Sequence, residues 1–248
     1  MKVINNKLSK VPKAPCDIDN LDDLPYIPTS PLPIKSFALY IVGSPGSGKT
    51  NLMMSLLTSK SPKYYRKFFD HIEIISGSMA TLPSKFKKQL SDSQKHNKFS
   101  DDLIIDIVNK MKDGKQDSNE NNLLVLDDVI RQITRSRVLS QIFLNRRHIS
   151  HNEDKEGNGG LSIITVSQKY SLLPLEFRNS ISDFVLFKSS NSMEINKIKD
   201  ELLHDLDKDE QNELLNLAWS KPYNFLFIKI NNPKKTKYYI NFDLVEFN

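Results

Sequence analysis

From Ser36 onward, short apolar runs alternate along the chain with stretches of helical periodicity. The runs with the length and composition of buried strands are residues 37–42, 71–76, 123–126, 161–166 and 183–187. The stretches that favour helices are residues 49–59, 101–112, 135–147 and 192–206. Strands that alternate with helices are typical of a mostly parallel sheet with helices on its faces. The pattern therefore predicts an α/β fold.

Three further segments complete the predicted organisation. Residues 223–247 alternate between apolar and polar positions in two halves around "NNPKK", which predicts a C-terminal β-hairpin. Residues 76–100 and 150–160 are polar and predict long loops. Residues 1–35 carry six of the twelve prolines and the acidic patch "DIDNLDDL", so we expect an arm that is extended over the surface or partly disordered, outside the core. Residues 36–248 form one predicted domain that includes the hairpin.

Composition and charge narrow the class of protein only slightly. The one cysteine, Cys16, allows no internal disulfide and suits a reducing compartment. No run approaches eighteen apolar residues and no apolar segment follows the charged start, so we expect a soluble, cytosolic protein without a membrane partner. The net charge of +5 agrees with a polyanionic partner, but an ordinary lysine-rich surface explains it equally well.

The segment "GSPGSGKT", residues 43–50, stands between a predicted strand and a predicted helix and fits the pattern G-x-x-x-x-G-K-[ST]. Its glycines allow the backbone to wrap around phosphate oxygens at the start of a helix. Lys49 would contact the β- and γ-phosphates of ATP, and the Thr50 hydroxyl would bind Mg²⁺. A chance Gly/Ser turn is the alternative, which the flanking elements disfavour. The predicted nucleotide-binding residues are Gly43, Ser44, Pro45, Gly46, Ser47, Gly48, Lys49, Thr50 and Asn51.

The apolar run "LLVL" ends in two acids, Asp127 and Asp128. At the carboxyl end of a strand, Asp127 would hold Mg²⁺ through water, and Asp128 would orient or activate the attacking water. The alternative is that the pair only caps the next helix. An acid pair is typical of hydrolytic motors, and the extra strand at 71–76 points the same way. We therefore predict an ATPase of the additional-strand (ASCE, RecA-like) type.

Polar residues elsewhere complete a possible catalytic set. Gln168 follows the strand "SIITVS" and could contact the γ-phosphate or the lytic water; a solvent-facing glutamine at a strand end is the alternative. Three arginines, Arg146, Arg147 and Arg178, are candidates for a finger that a neighbouring subunit supplies. Each is equally explained as a surface cation at a helix end. A finger that acts on a neighbour would require a ring or another oligomer.

The order of "IVGSPGSGKT", "LLVLDD", "NRRH", "SIITVSQ", "LPLEFRNSISDFVLFK" and "YNFLFI" resembles the poxvirus-type genome-packaging ATPases of large DNA viruses and virophages, within the FtsK–HerA superfamily. The resemblance covers roughly residues 36–227. It implies that Lys49 and Thr50 bind ATP and Mg²⁺, that Asp127 and Asp128 serve hydrolysis, that Gln168 is a sensor, and that one of the three arginines is the finger. The chain departs from the family pattern at "SHNEDKEGNGG", which separates "NRRH" from the sensor strand.

The resemblance further implies a homo-oligomeric ring, a pentamer or hexamer, that moves double-stranded DNA into a preformed capsid. Such an enzyme would contact capsid proteins and work in the cytoplasm of an infected cell, at the viral factory, or with the virion. A moving DNA backbone needs contacts that ignore its sequence, so we expect Lys85, Lys87 and Lys88 to bind DNA and the second loop to contact a subunit or the capsid. The lysines could also simply solvate a loop. A helicase or a nucleotide-locked scaffold remains an alternative function.

Overall fold

The computed structural model describes residues 1–4, 8, 27–113, 120–149 and 160–247. Within these residues, ten strands form one mixed sheet in the order β1-β10-β9-β8-β7-β2-β6-β5-β3-β4. The strands are β1 Lys2–Ile4, β2 Ala38–Val42, β3 His71–Ser76, β4 Lys95–His96, β5 Asn121–Asp127, β6 Gly160–Ser167, β7 Asp183–Phe187, β8 Phe225–Lys229, β9 Tyr238–Ile240 and β10 Asp243–Glu246. All five predicted core strands are present.

The six strands from β7 to β4 in the sheet order are parallel, and β8, β9, β10 and β1 continue the sheet with antiparallel pairs. β6 lies between β2, which precedes the glycine-rich segment, and β5, which carries the acid pair. The inserted strand that the predicted fold type requires is therefore β6. The prediction that the strand at 71–76 fills this role is wrong, because that strand, β3, lies on the outer side of β5. Because the strands are parallel, the carboxyl ends of β2, β5 and β6 lie at one edge of the sheet, where ligands bind in open α/β sheets.

The helices are α1 Lys49–Thr58, α2 Ser84–Lys87, α3 Asp101–Asp113, α4 Ile130–Ile133, α5 Arg137–Asn145, α6 Leu175–Arg178, α7 Ser192–Leu202 and α8 Lys208–Ala218. The four predicted helices exist, although two have shifted ends. The third starts at Arg137 because Ser136 caps it, accepting from the Leu139 N–H at 2.9 Å. The fourth ends at Leu202. α8 was not predicted, although Asp207 and Glu210 form a capping box at its start.

The central parallel strands β2, β5, β6 and β7 are buried on both faces, which explains why they read as continuous apolar runs. In β5, Leu124 and Leu126 face one core, which the helices α3, α5, α7 and α8 cover. Leu123 and Val125 face the other core, which α1 covers. The alternation of side chains along a strand thus sends successive residues into two separate cores.

The N-terminal arm differs from its prediction in part. Its first residues form β1, which pairs with the sheet through Val3 and Val245, so the arm adds an edge strand instead of remaining wholly outside the core. Residues 27–35 lie against the domain, where the Tyr65 hydroxyl donates to the Pro33 carbonyl at 2.8 Å. An extended backbone with free N–H and C=O groups completes the edge that β10 offers. Cys16 and the acidic patch lie outside the described residues.

The prediction of a long loop at residues 76–100 is also partly wrong, because the segment contains regular secondary structure. It contains a 3-10 turn at Met79–Thr81, the short helix α2, a second 3-10 turn and β4. Leu82 and Phe86 are buried in the core on the α1 side, so apolar contacts hold the segment down. In contrast, the predicted hairpin is present: β8 and β9 are antiparallel, and β10 adds a third strand. The second predicted loop lies outside the described residues, apart from Gly160, where β6 begins.

No helix among the described residues combines the length and the apolar character that crossing a membrane requires.

The buried carboxylate of Glu73 joins β3 to β4, the last two strands on the parallel side of the sheet. Glu73 of β3 is only 1% exposed. It is hydrogen-bonded to His71 Nε2 at 2.9 Å and to His96 Nε2, on β4, at 2.7 Å. Burial alone would raise the pKa of Glu73, but the hydrogen bonds and charges of the two histidines outweigh it and hold the pKa below its usual value. The ionised carboxylate therefore stabilises the attachment of β4.

We expect Glu73→Gln to destabilise the fold near neutral pH by about 1–3 kcal/mol, because it removes a charged acceptor from two buried hydrogen bonds. A depressed pKa in the folded state contributes stability above the unfolded value, and this contribution disappears as pH falls through the folded pKa. The difference in stability between the variant and the parent protein should therefore shrink as the pH falls through the lowered pKa of Glu73. Urea unfolding at several pH values measures this.

The exposed acid Asp106 on α3 offers a matched control. Asp106→Asn should change the free energy of unfolding little at any pH. An equal loss of stability in Glu73→Gln at neutral and acid pH would contradict the electrostatic role of Glu73.

Candidate functional site

A cavity of about 210 Å³ opens at the carboxyl edge of the parallel strands. Pro45 and Gly46 of the predicted nucleotide-binding segment line it together with five other residues that the sequence pattern predicts to be functional: Lys49, Thr50, Asp127, Asp128 and Gln168. They come from three separate parts of the chain, the start of α1 and the ends of β5 and β6. The sheet order brings these ends side by side, so one ligand can contact all five.

The glycine-rich segment between β2 and α1 forms the floor of this site. Gly46 and Gly48 have φ angles of 76° and 103°, a region that other residues rarely adopt. A Cβ atom at Gly46 would meet no atom within 4 Å, so the backbone here faces open space in which phosphate oxygens fit. The Ser47 Oγ is buried and has no hydrogen-bond partner among the described residues. Ser44, Pro45 and Gly43 complete the turn before the helix, and Asn51 lies in its first turn.

Lys49 lies at the first position of α1, with its ammonium group folded back over the segment. Its Nζ donates to the Ser44 carbonyl at 2.9 Å. Burial lowers the pKa of Lys49, and the carboxylates of Asp127 and Asp128 act in the opposite direction. A half-buried ammonium beside a helix N-terminus is a favourable site for the negative charge of phosphate groups.

Asp127 is buried and accepts hydrogen bonds from two serines. Ser76 Oγ donates to its Oδ2 at 2.8 Å, and Ser78 Oγ donates to the same atom at 3.3 Å. Burial raises the pKa of Asp127, the two hydroxyls lower it, and the neighbouring Asp128 adds to the rise. Sequence reasoning missed both serines. The signal for them was the segment "SGS" at the end of β3, since β3 is the neighbour of β5 in the sheet.

Asp128 is exposed, lines the same cavity as Asp127 and has a φ of 53°. The carbonyl of Asp128 lies close to Gly77: a Cβ atom at Gly77 would lie 2.7 Å from that oxygen. Only a glycine fits this approach without a shift of the backbone. Asp128 therefore presents its carboxylate to the cavity while Asp127 remains buried beside it.

Gln168 is exposed directly after β6, on a turn that several hydrogen bonds hold in place. The Ser167 Oγ donates to the Lys169 carbonyl at 2.9 Å. The hydroxyl of Tyr40, a buried residue of β2, donates to the same carbonyl at 2.9 Å and to that of Tyr170 at 3.2 Å. The Gly43 N–H also donates to the Ser167 carbonyl at 3.2 Å, so a hydrogen bond directly connects the glycine-rich segment to the turn that carries Gln168.

The residues around Asp127 fit a magnesium ion. Mg²⁺ takes oxygen ligands, and in nucleotide sites it usually has one or two protein ligands beside the phosphates. The Asp127 carboxylate and the Thr50 hydroxyl line the same cavity. Since burial raises the pKa of Asp127, a nearby cation would favour its ionised form. These two residues would hold the ion, which would neutralise charge on the β- and γ-phosphates.

The three candidate arginines differ sharply in their surroundings. Arg146 is buried, with Nε donating to the Ser36 carbonyl at 2.7 Å. Arg178 is buried as well and forms a bidentate pair with Glu201, at 2.9 Å for both hydrogen bonds. Both guanidinium groups are thus engaged by groups of the same chain. Arg147, in the 3-10 turn after α5, is exposed.

The three lysines that we expect to bind DNA were predicted to lie on a long loop. In the structure they lie on α2 and directly after it. Lys85 and Lys88 are exposed. Lys87 is half-buried, and its Nζ donates to the Ala80 carbonyl at 3.2 Å. The structure therefore places a small basic group on an ordered surface, next to β4, where Lys95 Nζ donates to the Lys87 carbonyl at 3.2 Å.

Solved structures with a similar fold include known nucleotide-binding proteins. B204, the DNA-packaging ATPase from Sulfolobus turreted icosahedral virus, matches with a TM-score of 0.58 and 15% identity over 84% of this chain and 97% of that one. B204 from Sulfolobus turreted icosahedral virus 2, in complex with ATP-gammaS, matches with a TM-score of 0.54 and 14% identity, over 83% and 96%. The pCW3 conjugation coupling protein TcpA matches with a TM-score of 0.53 and 10% identity, over 96% and 71%. These likenesses confirm the predicted P-loop NTPase fold of the additional-strand type.

No individual curated protein matches the chain in sequence. Residues 29–217, most of the chain, match the family described as poxvirus A32 protein. This match confirms the resemblance found in the sequence, and the chain belongs to the poxvirus A32 protein family.

Proposed function

We propose that this protein is an ATP-driven translocase that packages double-stranded viral DNA into a preformed capsid. The observation that carries the proposal is the convergence of Lys49, Thr50, Asp127, Asp128 and Gln168 on one cavity. The family match and the likeness to B204, which is named a DNA-packaging ATPase, support the choice among P-loop functions.

The geometry supports ATP hydrolysis with a division of labour among the site residues. The backbone of the glycine-rich segment and Lys49 bind the phosphates, and Thr50 and Asp127 hold Mg²⁺. The exposed Asp128 carboxylate orients or deprotonates the attacking water, while Asp127 is engaged with two serines. Gln168 contacts the γ-phosphate or that water and so responds to hydrolysis.

Arg147 is the arginine best placed to act on a neighbouring subunit. Its turn lies at the amino ends of β2 and β6, because Arg146 contacts Ser36 there. The carboxyl end of the eight-residue β6 is roughly 25 Å away at ~3.3 Å per residue, so Arg147 is too far from its own nucleotide. Leu144, one turn earlier, is 62% exposed and would suit a subunit contact. A finger supplied in this way requires an oligomer, and we propose a homo-oligomeric ring, a pentamer or hexamer.

The ordered basic group on α2 would contact the DNA backbone. Lys85, Lys87 and Lys88 follow closely after Ser78 in the chain, and Ser78 is hydrogen-bonded to Asp127. A change at the nucleotide can therefore reach the lysines through a short, structured segment. Capsid proteins complete the set of proposed partners, with the viral factory of an infected cell or the virion as the place of action.

An ATPase assay without DNA, with double-stranded DNA and with single-stranded DNA tests the proposal. Double-stranded DNA should stimulate turnover most. Stronger stimulation by single-stranded DNA would favour a helicase, and nucleotide-dependent assembly without any turnover would favour a scaffold.

We expect Asp128→Asn to reduce ATP turnover by roughly 10²-fold or more while Mg·ATP affinity stays close to that of the parent protein, because the positioned base is removed and the phosphate-binding groups remain. Asparagine tolerates the positive φ of this position, so the backbone should be unaffected. Lys49→Ala is the contrasting variant and should lose nucleotide binding itself. A collapse of affinity in Asp128→Asn, with normal turnover of the bound fraction, would identify Asp128 as a metal ligand instead.

We expect Arg147→Ala to lower turnover by about 10³-fold with ATP affinity retained, since an arginine finger acts on transition-state charge. Mixing Arg147→Ala with Lys49→Ala should restore part of the activity, because each Lys49→Ala subunit still offers Arg147 to its neighbour. Arg137→Ala, at an exposed arginine of α5, is the control and should be fully active. Full activity of Arg147→Ala alone would rule out this assignment.

We expect replacement of Lys85, Lys87 and Lys88 by alanine to weaken stimulation by double-stranded DNA and to flatten its salt dependence. The log–log slope should change by about 0.9 for each DNA phosphate that the variant no longer neutralises. Basal turnover should not change. A charge-matched control replaces three exposed lysines elsewhere: Lys110, Lys112 and Lys208. An unaltered salt slope in the first triple variant would remove α2 from the DNA path.

A further inference from the structure

A second cavity, of about 510 Å³, lies on the other side of the glycine-rich segment. Ser44 and Ser47 form one wall of it, Phe187 and Lys188 at the end of β7 form another, and residues 219–224 between α8 and β8 close it. Its volume is within the range of cavities that hold small organic ligands. Neither of the proposed catalytic acids lines it.

The two cavities meet at the crest of the glycine-rich segment. Pro45 and Gly46 line both of them. A triphosphate that lies along this crest, with its terminal phosphate toward Lys49 and Asp128, has its other end at the larger cavity. The nucleoside part of the ligand is attached at that end.

An exposed aromatic ring stands at this cavity. Tyr223 is 71% exposed, an unusual exposure for a large aromatic side chain beside a cavity. Its ring lies against the glycine-rich segment: a Cβ atom at Gly48 would be 3.4 Å from Tyr223 Cδ1 and 3.7 Å from Phe187 Cε1. Trp219, which also lines the cavity, is fixed by a hydrogen bond of 3.0 Å from Nε1 to the Leu186 carbonyl.

The backbone at Tyr223 has a φ of 65°, a value that residues other than glycine rarely adopt. Such conformations persist where surrounding contacts determine them, and they are concentrated at ligand sites. Here Asn241 holds the segment, accepting from the Phe225 N–H at 3.0 Å and donating to Asn224 Oδ1 at 2.8 Å. The C-terminal hairpin thus holds the residues that directly follow Tyr223 in place at the cavity.

We propose that this cavity binds the base and ribose of the nucleotide and that the Tyr223 ring stacks on the base. The proposal rests on the proposed function, since it assigns the second half of the same ligand. A flat aromatic face accepts any base, and the polar side chains of Ser190, Lys221 and Asn224 offer hydrogen bonds to the ribose or the base edge. Tyr223 therefore sets affinity for the nucleoside and leaves phosphate binding to Lys49.

The test compares Mg·ATP with inorganic tripolyphosphate, which has the phosphates but no nucleoside. Calorimetric titration of both ligands is carried out on the parent protein, Tyr223→Gly and Tyr223→Phe. Glycine removes the ring and accepts the positive φ, so this variant should fold. Trp219 is the one tryptophan of the chain, and its fluorescence gives a second readout from inside the cavity.

We expect Tyr223→Gly to bind ATP at least about tenfold more weakly, the scale of a missing base–aromatic stack, with tripolyphosphate affinity unchanged. Tyr223→Phe should bind both ligands like the parent protein. ATP, but not tripolyphosphate, should change the Trp219 fluorescence.

Two results would overturn the assignment while leaving the proposed function intact. In the first, Tyr223→Gly binds ATP as tightly as the parent protein. In the second, it loses affinity equally for ATP and tripolyphosphate, which would mean that the ring only supports the glycine-rich segment. Failure of the parent protein to bind either ligand would instead overturn the proposed ATPase function together with the base site.

Discussion

The buried carboxylate of Asp127 is the constraint on which the rest of the site depends. A charged group at this depth requires hydrogen-bond donors or a cation nearby. Ser76 and Ser78, at the end of the neighbouring strand, donate to it, and Lys49 contributes a positive charge across the cavity. The parallel pairing of β3 with β5 places these groups together. The carboxyl edge of the parallel strands, where the buried charge of Asp127 needs donors or a cation, is therefore also the edge that can hold a metal and a triphosphate.

Hydrogen bonds connect the turns around this edge to each other. The Tyr40 hydroxyl, from the strand that carries the glycine-rich segment, holds the turn after Gln168. Ser78 leads from Asp127 to α2 and its lysines, whose apolar neighbours such as Phe86 are packed in the core. Closely packed interiors transmit displacements instead of absorbing them. A displacement at the cavity would thus reach both the turn that carries Gln168 and the basic surface of α2.

Local sequence was sufficient to predict the elements that depend on short-range patterns. The strands around "LLVL" and the helix that starts at Lys49 were predicted because burial on both faces and a glycine-rich turn leave clear signals in sequence. α8 was missed although its capping box at Asp207 was visible, and β1 was missed because a three-residue edge strand has too little pattern of its own. Edge strands are defined by the partner that they pair with, which for β1 is the segment around Val245, near the opposite end of the chain.

The sequence by itself determined the α/β fold, the glycine-rich segment and the acid pair, because each is written in consecutive residues whose backbone preferences are local. Only the tertiary structure decided how the polar side chains are used. In the folded chain, Arg146 and Arg178 are hydrogen-bonded to groups of the same chain, whereas Arg147 is exposed. The Tyr223 ring lies against Gly48. These outcomes depend on contacts between residues far apart in the chain, and the identity of a side chain does not specify its distant neighbours.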